Sequence, residues 1–154
     1  MHLRHVKLED YENRLKMLVT PEKGKASVVK LKQLKEAFKG NHYLTKILEK
    51  GQNGERSLDW KLMMTPGLFV QPQSSGGGII FEDDPELTFK VNELMLLGIL
   101  YCCATPMKKT KKFYSLLQSG LDSQIAASDK DTEHYLPLLG RICYIEMISL
   151  YNNE

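Results

Sequence analysis

Leu94-Met95-Leu96-Leu97-Gly98-Ile99-Leu100-Tyr101-Cys102-Cys103-Ala104 is the longest apolar run in the chain. It is about half the length a membrane span needs, roughly 20 residues. It is too long for an ordinary strand and is apolar nearly all round, which predicts a buried central helix over about 87–104. Glu82-Asp83-Asp84-Pro85-Glu86 precedes it, and reads as an acidic helix start, favourable at the positive end of the helix dipole. Thr105-Pro106 follows. A threonine cap with proline at the first helical position opens another helix, carrying Phe113, Leu116 and Leu117 and closed by Ser119-Gly120.

Working toward the N-terminus, Leu8, Tyr11, Leu15 and Leu18 recur at helical spacing, and the segment ends at Thr20-Pro21. Ser27 is a candidate cap for a second helix with Leu31, Leu34 and Phe38 on its apolar face, stopped by Gly40-Asn41. Leu44, Ile47 and Leu48 mark a short third helix before the polar loop Gly51-Gln52-Asn53-Gly54. Leu58, Trp60, Leu62 and Met63 start another apolar stretch, broken by Pro66-Gly67.

Between 69 and 81 the texture changes. Two short β-like runs, Leu68-Phe69-Val70 and Ile79-Ile80-Phe81, flank the loop Gln71 to Gly78. The expected fold class is therefore mainly α, a helix–loop–helix bundle with a short β-like hairpin and a Gly-rich loop near 69–81. The 154 residues suit one domain, expected as two halves, 1–70 and 79–154, joined by that flexible loop. The last helix, about 136–151, is apolar on more than one stripe. Leu139, Ile142, Met147 and Ile148 are accordingly expected to line a groove or interface.

Composition narrows the function class. Hydrophobic residues make up 42% and charged residues 26% of the chain, which argues against disorder. A formal charge of +2 gives no global pull toward nucleic acid. The basic N-terminus runs at once into Glu9, Asp10 and Glu12, unlike a mitochondrial presequence. Cys102, Cys103 and Cys143 sit in apolar runs and read as buried thiols of a reducing compartment. The expected location is intracellular and cytoplasmic, with mitochondrial or cytoskeletal assemblies left open.

Several constellations carry chemistry on paper. Ser74-Ser75-Gly76-Gly77-Gly78 could cradle a phosphate, but it leads into Ile79-Ile80-Phe81 rather than a helix start, and no lysine follows. Asp129, Asp131, Glu133 and His134 alternate like calcium ligands, yet no glycine or closing carboxylate completes the pattern, so they read as capping residues. His2, His5, His42 and His134 form no metal or catalytic motif. The expectation is no enzyme, no cofactor and no metal. Lys108, Lys109, Lys111 and Lys112 stand in the first turns of their helix, where cations oppose the dipole. That placement makes them candidates for a partner-binding rim.

The segment Asn92 to Leu100 resembles the exiting helix of an EF-hand of the calmodulin-like superfamily. Ala104 to Lys109 is similar to the linker, and Thr110 to Leu117 to the entering helix of the next hand, with Phe113 at the usual aromatic place and Ile125 as the central hydrophobic residue of its loop. A fainter echo runs through Leu44 to Lys50 as helix, Gly51 to Ser57 as loop and Leu58-Asp59-Trp60 as its end. The loops depart from the family. Their ligand places fall on Gln118, Gly120, Asp122 and Asp129, with Ser123 at the glycine place, and on Gly51, Asn53, Glu55 and Leu62. Calcium needs clustered oxygens and a terminal bidentate carboxylate. The resemblance thus implies a calcium-independent protein-binding module of a larger assembly, gripping an amphipathic helix or an acidic-rimmed complex. Seven methionines suit such adaptable contact. The rivals are a helical accessory subunit unrelated to EF-hands and an enzyme with an unrecognised site.

Overall fold

The computed structural model describes residues 1–19, 28–65 and 83–119. Among these, a 3-10 turn at Leu3–His5 precedes α1 (Leu8–Lys16). Then come β1 (Val28–Lys30), α2 (Leu31–Phe38), α3 (His42–Leu48) and α4 (Leu58–Met63). The third described stretch carries β2 (Thr88–Lys90), α5 (Val91–Tyr101) and α6 (Pro106–Ser119). The protein is mainly helical, with a small two-stranded antiparallel sheet.

That sheet pairs Val28 with Lys90, Val29 with Phe89 and Lys30 with Thr88. Each strand runs directly into a helix, β1 into α2 and β2 into α5. Val29 and Phe89 are buried at its centre. The start of α2 leans on the other unit. The Leu31 amide donates to the Leu87 carbonyl at 2.7 Å and the Lys32 amide to the Pro85 carbonyl at 3.2 Å. These two amides would otherwise lack partners at a helix start, and the Gln33 side chain accepts from the Lys30 amide at 2.9 Å.

Two expectations change here. The residue that caps α2 is Lys30, three residues past Ser27, because the strand delays the helix. The acidic run 82–86 does not open α5, since β2 stands between them and α5 begins at Val91 and ends at Tyr101 rather than near 104. The β-like runs and Gly-rich loop near 69–81 and the final helix at 136–151 lie outside the described residues. The strands that do pair come from elsewhere in the chain.

Helical spacing is otherwise reproduced. Leu8, Tyr11 and Leu15 of α1 are buried, as are Leu31, Leu34 and Phe38 of α2 and Leu44, Ile47 and Leu48 of α3. Gly40 takes φ +81° between α2 and α3, a left-handed value that favours glycine. Asn41 then caps α3, accepting from the Tyr43 and Leu44 amides at 3.1 Å. The loop after α3 folds back through the Lys50–Arg56 bridge, so Leu58 opens a helix capped by Ser57 instead of closing a loop. On α5, all residues from Glu93 to Ile99 are buried, as a central helix requires.

The described parts of both halves share one core. α1 packs on α5, where Tyr11 donates from its hydroxyl to the Leu94 carbonyl at 2.8 Å. A Cβ on Gly98 would sit 2.3 Å from two carbons of the Tyr11 ring, well inside van der Waals contact. Both partners are buried, so neither has room to yield. Gly98→Ala is expected to cost about 1–3 kcal/mol by overpacking, despite the better helix propensity of alanine. Urea unfolding of the variant checks this; an unchanged midpoint would mean that α1 can shift freely off α5.

Candidate functional site

α1, the end of α5 and the start of α6 meet at a corner, and a cleft of about 640 Å³ opens there. Its floor is apolar, formed by Leu8, Cys103 and Ala104. Lysines from two places surround it: Lys7 before α1, and Lys108, Lys111 and Lys112 from α6. Glu9 is the acidic side chain of the lining.

Backbone hydrogen bonds fix this corner. The Leu8 amide donates to the Cys103 carbonyl at 3.1 Å, and the Cys103 amide to the Val6 carbonyl at 2.7 Å. α6 then starts as its sequence dictates. Thr105 Oγ1 accepts from the Lys108 amide at 3.3 Å, and Pro106 takes the first helical position, where no amide is needed. The extended backbone after α5 turns successive side chains to opposite sides, so Cys102 is buried whereas Cys103 is exposed. This corrects the reading of both as buried thiols. Burial pushes the Cys102 thiol up to about 12, which keeps it protonated and a poor nucleophile.

The lysine block divides by function. Lys108 Nζ donates to Glu9 at 2.9 Å. Lys112 reaches both carboxylate oxygens of the buried Glu12, at 2.8 and 2.7 Å. Lys109 turns the other way and donates to the Leu100 carbonyl at 3.0 Å, near the C-terminal end of α5, where a cation is favourable. These contacts explain cations at a helix start: their partners lie on α1 and α5. Lys111 and Lys7 have no side-chain partner among the described residues. Leu139, Ile142, Met147 and Ile148, expected on the same partner surface, lie outside the described residues.

Lys7, Glu9 and Cys103 were not legible as site residues. Lys108 meets Glu9, and Lys112 meets Glu12, from opposite ends of the chain. No local motif announces a contact at that separation.

A second cluster of charge closes the turn before β2. Glu86 is held by Lys30 and by Lys32, the latter at 2.7 Å. Those lysines draw its carboxyl down to about 2. Asp83 accepts from Lys50 at 2.7 Å and from Arg56. Hydrogen bonding from Lys50 lowers its carboxyl below the ordinary range. Arg56 also stacks over the Trp60 ring, 4.5 Å from its centroid, and donates to the Leu48 carbonyl at 2.8 Å. On α4, buried Asp59 accepts from the His2 and Leu3 amides at 2.8 and 3.1 Å, tying the N-terminal 3-10 turn to the core.

Among the described residues no three His, Cys, Asp or Glu side chains group as metal ligands, and no helix is long and apolar enough to cross a membrane. Comparison with protein-family models, curated proteins and solved structures found no match.

Glu12 gives this corner a pH dependence. Burial works to raise its carboxyl, and hydrogen bonds from Lys112 and Lys16 outweigh it, so the group lies below its ordinary 4.5. A carboxyl depressed in the folded state contributes stability in full above its unfolded value, and loses it as the pH falls through the folded one. The unfolding free energy is therefore expected to drop on acidification below about 4.5, more steeply in the parent protein than in Glu12→Gln. Urea titrations at several pH values measure this; parallel curves for the two proteins would show that Glu12 does not couple α1 to α6.

Proposed function

We propose that this chain is a non-catalytic, calcium-independent, EF-hand-like protein-binding module of a larger assembly. The observation that carries the reading is the short β1–β2 ribbon, which joins two strand–helix units centre to centre at Val29 and Phe89. Each strand runs straight into a helix, so the ribbon couples two helical units, and the resemblance of Asn92 to Leu100 to an exiting helix agrees with the position of α5 after β2.

Calcium independence rests on the missing carboxylates at the ligand places of the two candidate loops, Gln118, Gly120, Asp122 and Asp129, and Gly51, Asn53, Glu55 and Leu62, and the charges beside the ribbon agree with it. A calcium loop presents its carboxylates to the ion. Here Asp83 and Glu86 face Lys30, Lys32, Lys50 and Arg56, so positive side chains stand where a cation would have to enter. A cation would need to displace four charge-assisted contacts. The binding role draws support from the open cleft beside α6 and its surplus of lysine. In this reading Leu139, Ile142, Met147 and Ile148 supply apolar contact to a partner helix, while Lys108, Lys111 and Lys112 belong to the charged rim, and Lys109, expected there, is turned to the Leu100 carbonyl instead.

Calcium is expected to leave both the melting temperature and the circular dichroism unchanged relative to chelator. A ligand that binds the native state alone adds about 2.7 kcal/mol at a hundredfold excess over its dissociation constant, so a real site would be visible. A calcium-dependent rise in melting would overturn the proposed independence. Met147→Asp with Ile148→Asp is expected to abolish co-purification of the partner while helical content stays nearly intact. A double variant that folds and still captures the partner would place the interface elsewhere.

A further inference from the structure

We propose that the cleft between α1 and α6 receives a short acidic segment of a partner protein, and that Glu9 occupies part of it as an internal competitor. The inference rests on the reading of the chain as a protein-binding module and names the chemistry of one contact.

The charges decide the occupant. Lys7, Lys108, Lys111 and Lys112 line the cleft, with Glu9 opposite them. Lys7 and Lys111 are unneutralised among the described residues, while Lys112 is committed to buried Glu12. Among the described residues Lys108 is held by Glu9 alone, and both side chains are more than half exposed. An exposed pair of this kind contributes little and exchanges readily. An incoming carboxylate can therefore replace Glu9 on Lys108 while reaching Lys7 or Lys111. The Lys108 hydrogen bond draws the Glu9 carboxyl below its ordinary value, which keeps it ionised as a stand-in for the ligand's carboxylate.

Shape narrows the class. A cleft of about 640 Å³ takes a few side chains. Its Leu8, Cys103 and Ala104 floor suits an apolar residue between acids. A bilayer surface is too flat to enter it. Single-stranded nucleic acid is held by aromatic platforms along a basic track, and among the described residues no aromatic side chain lines this cleft. An acidic peptide with interspersed aliphatic residues matches both the floor and the rim.

The test uses the full chain and a fluorescein-labelled peptide, Glu-Glu-Leu-Glu-Glu-Leu, read by fluorescence anisotropy beside its glutamine counterpart. The acidic peptide is expected to bind, weakening as salt rises, and the glutamine peptide not to bind. Lys7→Glu with Lys111→Glu is expected to weaken binding by roughly tenfold or more. Should that double reversal unfold, Lys111→Ala removes a cleft charge without breaking a described side-chain contact and is expected to weaken binding in the same direction. The decisive pair is Glu9→Gln against Glu36→Gln. Both raise the net charge by the same amount, but Glu36 pairs with Lys39 away from the cleft. Glu9→Gln is expected to tighten binding several-fold, and Glu36→Gln to leave it unchanged. Equal effects of the two would overturn the proposal in favour of non-specific charge attraction. Equal binding of the glutamine peptide, or stronger binding to phosphatidylserine vesicles, would overturn it as well. If the acidic peptide fails while Met147→Asp with Ile148→Asp still abolishes partner capture, the cleft is wrong and the module reading stands.

Discussion

Tyr11 lies against Gly98, with no Cβ between its ring and the α5 backbone, and its hydroxyl bonds the Leu94 carbonyl. This contact sets how close α1 can come to the central helix. The other arrangements at the corner depend on that distance. With α1 close to α5, the backbone at Lys7 pairs with that at Cys103, and Glu9 and Glu12 come within reach of α6. A bulkier residue at 98 would push α1 outward and lengthen each of these contacts together. The buried hydroxyl also has a partner, so the ring brings apolar area into the core without the penalty of an unsatisfied polar group.

The two strand–helix units meet by a different means. The ribbon is three residues per strand, too short to be stable alone. Its neighbours hold it: Trp60 lies edge-on to Phe89, Arg56 stacks on Trp60, and Arg56 pairs with Asp83 in the turn before β2. A single path of contacts therefore runs from α4 to the ribbon and on to the acidic turn. The same turn supplies carbonyls to the start of α2. Charge pairing at its rim and aromatic packing beneath it fix one geometry, in which Asp83 and Glu86 are met by positive side chains.

The helices were legible in the sequence because their apolar spacing repeats over two or more turns. Leu31, Leu34 and Phe38 show this, as does the unbroken run Leu94 to Ile99. The strands were not. Val28-Val29-Lys30 and Thr88-Phe89-Lys90 each offer a single alternation, which no period-2 pattern can separate from a loop. Their pairing joins the two halves of the chain across a register that only the fold reveals. For the same reason the acidic run 82–86 was misread. Acids before an apolar helix fit the dipole rule well, and only the intervening strand shows that Glu86 serves Lys30 and Lys32 around the start of α2, and Asp83 serves Lys50 and Arg56 in the loop after α3. At the candidate site, the anomaly of lysines at a helix start was visible. Its cause lay in α1, out of sequence range.

The contrast between the two charge clusters bears on what each can do. At the acidic turn, two carboxylates meet four basic side chains, and the acids are fully engaged. At the corner of α1 and α6, Glu9 and Glu12 each hold a lysine of α6, and among the described residues Lys7 and Lys111 remain over. The whole chain carries a formal charge of only +2, so the surplus at one cleft is a matter of placement. Exposed charges separated by more than about 8–10 Å are largely screened at physiological salt. The potential a ligand meets is therefore set by the side chains lining the cleft, and hardly at all by the acidic turn elsewhere. In the first cluster each of the four basic side chains has an acidic partner. The second is open and apolar at its base, and among the described residues Lys7 and Lys111 have no side-chain partner there.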